Sequence, residues 1–96
     1  MTHVDINGVI FRGYENAQFV ISEYNTVREH SFRMVTRQKN SGLRQLIENN
    51  TEFHVIMIDP DEMKVIGELK DATLMNYSFN GQKEDVAFTG TLVTQD

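Results

Sequence analysis

Two Asn-Gly pairs, Asn7-Gly8 and Asn80-Gly81, each fall between runs in which apolar and polar residues alternate. A two-residue β-hairpin turn needs positive φ, which Asn and Gly tolerate best, so each pair marks a point where a strand doubles back. Val4 and Ile6 precede the first pair, and Val9, Ile10 and Phe11 follow it. The second pair leads into the last strand, over a loop lengthened by the polar residues Gln82 to Asp85.

The same period of two recurs elsewhere. Ala17, Phe19 and Ile21 share one face, Phe32 and Met34 share another, and polar "EYNTVREH" turns the chain between them. The run from Phe53 to Ile58 is interrupted only by His54, as expected of a central strand with both faces partly covered. Asp59-Pro60-Asp61-Glu62 is a turn, Met63 to Leu69 its returning strand, and Ala72 to Phe79 a further extended segment. Only "NSGLRQLIENN" changes period. Leu43, Leu46 and Ile47 make a helical stripe, with Ser41 as N-cap and Asn49-Asn50 as the stop.

The expected fold is therefore mainly β. It is an antiparallel sandwich or partly open barrel of six to eight strands, with one short flanking helix, in a single domain spanning residues 1–96.

At 40% hydrophobic and 24% charged, the chain can fold around one core but is too short for two. No secretory signal and no membrane span are expected. The absence of Cys excludes disulfides, thiolate metal sites and cysteine catalysis. A net charge of −5 argues against nucleic-acid binding, which requires neutralising phosphates. Arg28, Arg33, Arg37, Lys39 and Arg44 form a weak basic cluster, but Glu23, Glu29 and Glu48 lie among or near them, giving a mixed solvated surface.

Chemistry-bearing patterns are sparse. His3, His30 and His54 are not at ligand spacing, and His54 on its apolar strand is the one whose burial would lower its pKa. Asp59, Asp61 and Glu62 supply too few oxygens for calcium, and a hairpin turn explains them. Glu84 and Asp85 sit together in a loop with nothing to separate their titrations. Met34, Met57, Met63 and Met75 are core filling. No enzymatic activity, cofactor, catalytic residue or metal site is expected.

The last segment, "FNGQKEDVAFTGTLVTQD", is different. Val86, Phe88 and Leu92 point one way, and Ala87, Thr89, Thr91 and Val93 the other, with little after them to cover an edge. Such a strand invites pairing across a subunit boundary. The expected oligomer contacts are Ala87, Thr89, Thr91 and Val93 together with the opening turn at Asn7, Gly8 and Val9.

Residues 43 to 95, "LRQLIENNTEFHVIMIDPDEMKVIGELKDATLMNYSFNGQKEDVAFTGTLVTQ", resemble the tail-tube proteins of long-tailed phages and related contractile particles. The shared order is a short helix, a strand like "FHVIMID", an acidic turn, a "VIGELKDATL" segment and a final "EDVAFTGTL" strand. The resemblance implies a virion structural protein of the tail, assembled in the host cytoplasm. Its copies would form rings, usually hexamers, alongside other tail proteins. The rings' inner sheets would line a channel for DNA, with Thr89 and Thr91 on an inert wall. The short link between Ile21 and Phe32 departs from the family, whose members carry a long loop there. A different class of function is a monomeric acidic module that inhibits a basic host protein through Asp59, Asp61, Glu62, Glu84 and Asp85.

Overall fold

The computed structural model describes residues 2–24, 27–37 and 42–93. Seven strands and one helix follow in the order β1 (His3–Ile6), β2 (Val9–Phe11), β3 (Tyr14–Tyr24), β4 (Val27–Thr36), α1 (Leu43–Asn49), β5 (Phe53–Asp59), β6 (Lys64–Phe79) and β7 (Glu84–Leu92). All pairings are antiparallel, in one sheet of order β2-β1-β5-β6-β7-β4-β3. A single curled sheet decides between the two expected architectures in favour of the partly open barrel.

The chain itself enforces the curl. β2 and β3 lie at opposite borders of the sheet, yet only Arg12 and Gly13 separate them. Three Cα–Cα steps of about 3.8 Å span at most about 11 Å, so the two borders must approach one another at that junction. The sheet wraps around its apolar face, and Phe19 on β3 reaches across to Gly67 on β6. A Cβ built at Gly67 would lie 2.4 Å from the Phe19 ring.

β6 is one bent strand where the sequence suggested two segments. It pairs with β5 from Lys64 to Ala72 and with β7 from Leu69 to Phe79. The bend is a bulge at Lys70 to Thr73, where Asp71 adopts φ 52. Gly90 faces this bulge; a Cβ there would meet the Lys70 carbonyl oxygen at 2.7 Å and the Ala72 Cα at 2.9 Å.

The two Asn-Gly turns are built differently. Asn7 and Gly8 have φ 53 and 89, the mirror-image turn that matches strand twist. At the second pair Gly81 has φ 92, and the Asn80 side chain accepts hydrogen bonds from the amides of Gln82 at 3.1 Å and Lys83 at 2.9 Å. That loop ends sooner than expected, because β7 already begins at Glu84.

Inward-facing residues of the six strands other than β3 meet in one core, Val4, Ile6, Phe11, Phe32, Met34, Phe53, Val55, Met57, Leu69, Ala72, Val86 and Phe88, and the partly buried Tyr14, Ala17 and Phe19 of β3 pack against it. Two tilted ring pairs anchor it, Phe19–Phe32 with centroids 5.0 Å apart and Phe53–Phe88 at 4.7 Å. Helix α1 adds Leu43 and Leu46 to this core, with Ile47 half-buried beside them. Seven residues cannot sustain a helix in water alone, so packing holds it. Its N-cap position is Gly42, while the expected cap Ser41 lies outside the described residues. Asn50 closes the other end by donating from Nδ2 to the Leu46 carbonyl at 2.9 Å. Of the four methionines expected inside, Met34 and Met57 are buried, but Met63 is 86% exposed at φ 53 in its turn and Met75 lies on the surface.

Candidate assembly interface

An edge strand carries a row of backbone N–H and C=O groups with no partner in its own sheet, which is the simplest template for joining another chain. β7 does not have that edge. It lies between β6 and β4 and pairs with both, which corrects the expectation that the last strand is uncovered. Thr36 to His30 of β4 satisfy one side of it and Leu69 to Phe79 of β6 the other.

The borders are β2 and β3. β2 offers three residues; β3 offers eleven and, among the described residues, pairs with β4 alone. Both ends of β3 are pinned. At its start the Tyr14 hydroxyl donates to the Thr2 carbonyl at 2.9 Å, and burial raises the Tyr14 pKa. The Glu15 carboxylate accepts from Arg37 Nη2 at 2.5 Å and lies 3.0 Å from Lys83 Nζ. These two cations hold the Glu15 pKa down at about 2. Towards the other end Arg28 binds Glu23 at 2.8 Å. Between these ion pairs, "NAQFVIS" (residues 16–22) holds no charge, no proline and no glycine. The features that guard an edge lie only at its ends: a register irregularity between Tyr14 and Asn16, and the charges of Glu15 and Glu23.

The seven residues expected at the interface fall into three situations. Asn7 is committed internally: its side-chain Nδ2 donates to the Glu52 carbonyl at 3.1 Å, and its side-chain oxygen accepts from the His54 backbone amide at 2.8 Å. Ala87 is only 2% exposed, and the Val93 amide donates to the Glu68 carbonyl at 2.9 Å. Thr89 Oγ1 is half-buried, 3.1 Å from Glu29 Oε1 and 3.2 Å from the His30 carbonyl oxygen. Gly8, Val9 and Thr91 face solvent.

Near the Asn7 turn, Asn7, Glu52, Phe53, His54, Lys70 and Asp71 line an open groove of about 420 Å³. His54 is exposed there, against the expectation of burial, and its Nε2 lies 2.5 Å from Glu68 Oε2. Among the described residues no group of three or more His, Cys, Asp or Glu side chains is placed to hold a metal ion. No helix of the described residues is long and apolar enough to cross a membrane. The basic cluster is paired off: Arg37 with Glu15, Arg28 with Glu23, Arg44 with Glu48 at 3.2 Å and Arg33 with Asp85 at 3.8 Å. Lys39 lies outside the described residues.

The acidic groups of the inhibitor reading are not brought together. Asp59 pairs with Lys64 at one end of β6, while Asp85 pairs with Ser78 near the other. Asp59 is spent on its own turn, accepting from the Asp61 amide at 3.0 Å and the Glu62 amide at 3.4 Å. Glu84 is no loop residue. It is 5% exposed, accepting from Thr36 Oγ1 at 3.2 Å and from the Tyr77 hydroxyl at 2.7 Å. Burial, then the adjacent Glu84, push the Tyr77 pKa up to about 12. This buried trio was missed because "QKED" is uniformly polar in sequence. The signal available was the step from Glu84 to Val86 and Phe88, which continues the inward-facing period of two.

No family model matches the chain, and no curated protein is detectably similar to it.

Proposed function

We propose that this protein is a structural subunit that acts by joining copies of itself, of the kind that builds phage tail tubes or related tail and baseplate rings. Its action is assembly, not turnover. It would be made in the host cytoplasm and reside in the virion tail, beside other tail proteins. The resemblance of residues 43 to 95 supplies the class of particle. The observation that carries the reading is β3, an eleven-residue border strand whose middle is uncharged and whose outer edge, on the side away from β4, has no partner among the described residues. The net charge of −5 suits a ring through which DNA passes without adhering.

Size-exclusion chromatography with light scattering should show species well above the 11.1 kDa of one chain, and electron microscopy should show rings with a central opening. A charge on the free edge opposes strand addition. Val20→Lys is therefore expected to break the assembly into smaller species with an unchanged far-ultraviolet circular dichroism spectrum. Thr91→Lys, on the interior strand, should leave assembly intact. A wild-type protein that stays monomeric at millimolar concentration overturns the proposal.

A further inference from the structure

The two borders of the sheet differ greatly in length, and that difference selects the partner. A β3 edge laid against β2 of another copy finds only three residues to pair with, leaving most of its eleven unsatisfied. Only a second β3 matches it. A two-fold axis perpendicular to the sheet sets two such strands antiparallel and keeps both core-facing sides on the same side.

Side chains then choose the register. If the axis passes Phe19, Glu15 of one copy faces Glu23 of the other, a like-charge pair at both ends. One residue along, at Val20, no like charges face each other. Val20 meets Val20, Phe19 meets Ile21, Gln18 meets Ser22, and Glu23 meets Ala17. Ile21, 56% exposed in the single chain, thereby gains an aromatic neighbour on the core-facing side. The paired segment begins three residues past Tyr14, beyond the Arg12–Gly13 junction where the sheet's borders converge.

Resting on the self-assembly reading above, we infer that the assembling unit is a two-fold pair. β3 joins β3 antiparallel about Val20, extending two seven-stranded sheets into one of fourteen. β2 remains at each outer border of this pair, so larger assemblies grow through that second edge and contain an even number of copies.

The chain has no cysteine, so single-cysteine variants report this geometry directly. Val20→Cys, mildly oxidised, should convert most of the protein into a reductant-sensitive dimer of twice the 11.1 kDa chain mass, while Thr91→Cys should not. Gln18→Cys and Ser22→Cys should each link poorly alone but link to one another when mixed. This second pair keeps the test decisive if Val20→Cys folds badly. Light scattering of the wild type should give even multiples of the chain mass. If the wild type is oligomeric yet neither the Val20→Cys variant nor the Gln18→Cys and Ser22→Cys mixture crosslinks, or if odd multiples dominate, the two-fold pair is wrong and self-assembly stands. A wild type that remains monomeric at millimolar concentration removes both.

Discussion

β3 and β7 are alike as sequence and opposite as structure. Each alternates apolar with polar residues, has high β propensity and lacks proline. β7 nevertheless lies inside the sheet, with Val86, Ala87 and Phe88 buried, whereas β3 forms a border and leaves Ile21 in solvent. A strand's role is set by its place in the order of strands. That place depends on long-range pairing, which local periodicity does not encode.

The largest expected consequence is in stability. Phe88 is fully buried and its ring packs at a tilt against Phe53. Phe88→Ala should cost about 3–5 kcal/mol through lost burial and the cavity left behind. That is a large fraction of the roughly 5–15 kcal/mol that holds a domain of this size folded. Ile21→Ala, on the exposed part of β3, should change the stability of the dilute monomer by less than about 0.5 kcal/mol. Urea unfolding measures both. Equal losses would mean that β3 is as enclosed as β7, and the contrast between them would collapse.

Next come two glycines, each crowded by a different strand. A methyl group at Gly90 runs into the Lys70 carbonyl and the Ala72 Cα, backbone atoms of the neighbouring interior strand. A methyl group at Gly67 meets the Phe19 ring of border strand β3, which has a free side towards which to yield. Gly90→Ala is thus expected to cost about 1–3 kcal/mol by overpacking, and Gly67→Ala less. The reverse order in thermal unfolding would show that β3 is held as rigidly as the centre of the sheet.

How much of this was legible in sequence depends on the range of the signal. The turn at Asn7-Gly8, the Asp59 turn and the helical stripe of Leu43, Leu46 and Ile47 are local, and each stands where the sequence placed it. The mainly β class follows from the same local periods. The identity of the border strand was not legible, because β7 is covered on one flank by β4, about fifty residues earlier in the chain. The burial of Glu84 was hidden for the same reason. Its partner Thr36 is forty-eight positions away, and a carboxylate's chemical type says nothing about a distant hydroxyl. His54 looked buried because its neighbours are apolar, yet alternation turns it outward between Phe53 and Val55, both buried.

The smallest effect should belong to the pinned start of β3. Glu15 is held between Arg37 and Lys83, and its pKa falls from 4.5 to about 2 on folding. A carboxylate whose folded pKa is depressed stabilises the protein above its unfolded pKa and loses that contribution as pH falls through the folded one. The gap in unfolding midpoint between wild type and Glu15→Gln should therefore be full at neutral pH, shrink from about pH 4.5 downwards and close near pH 2. The site is exposed, so high salt should narrow the gap at every pH. Amide hydrogen exchange can localise the loss: protection should fall at the Tyr14 end of β3, which this pair ties to the loop holding Lys83, and remain unchanged in β7. A gap independent of pH would mean that the carboxylate's charge has no part in holding the border strand, and that Tyr14 with Thr2 anchors it alone.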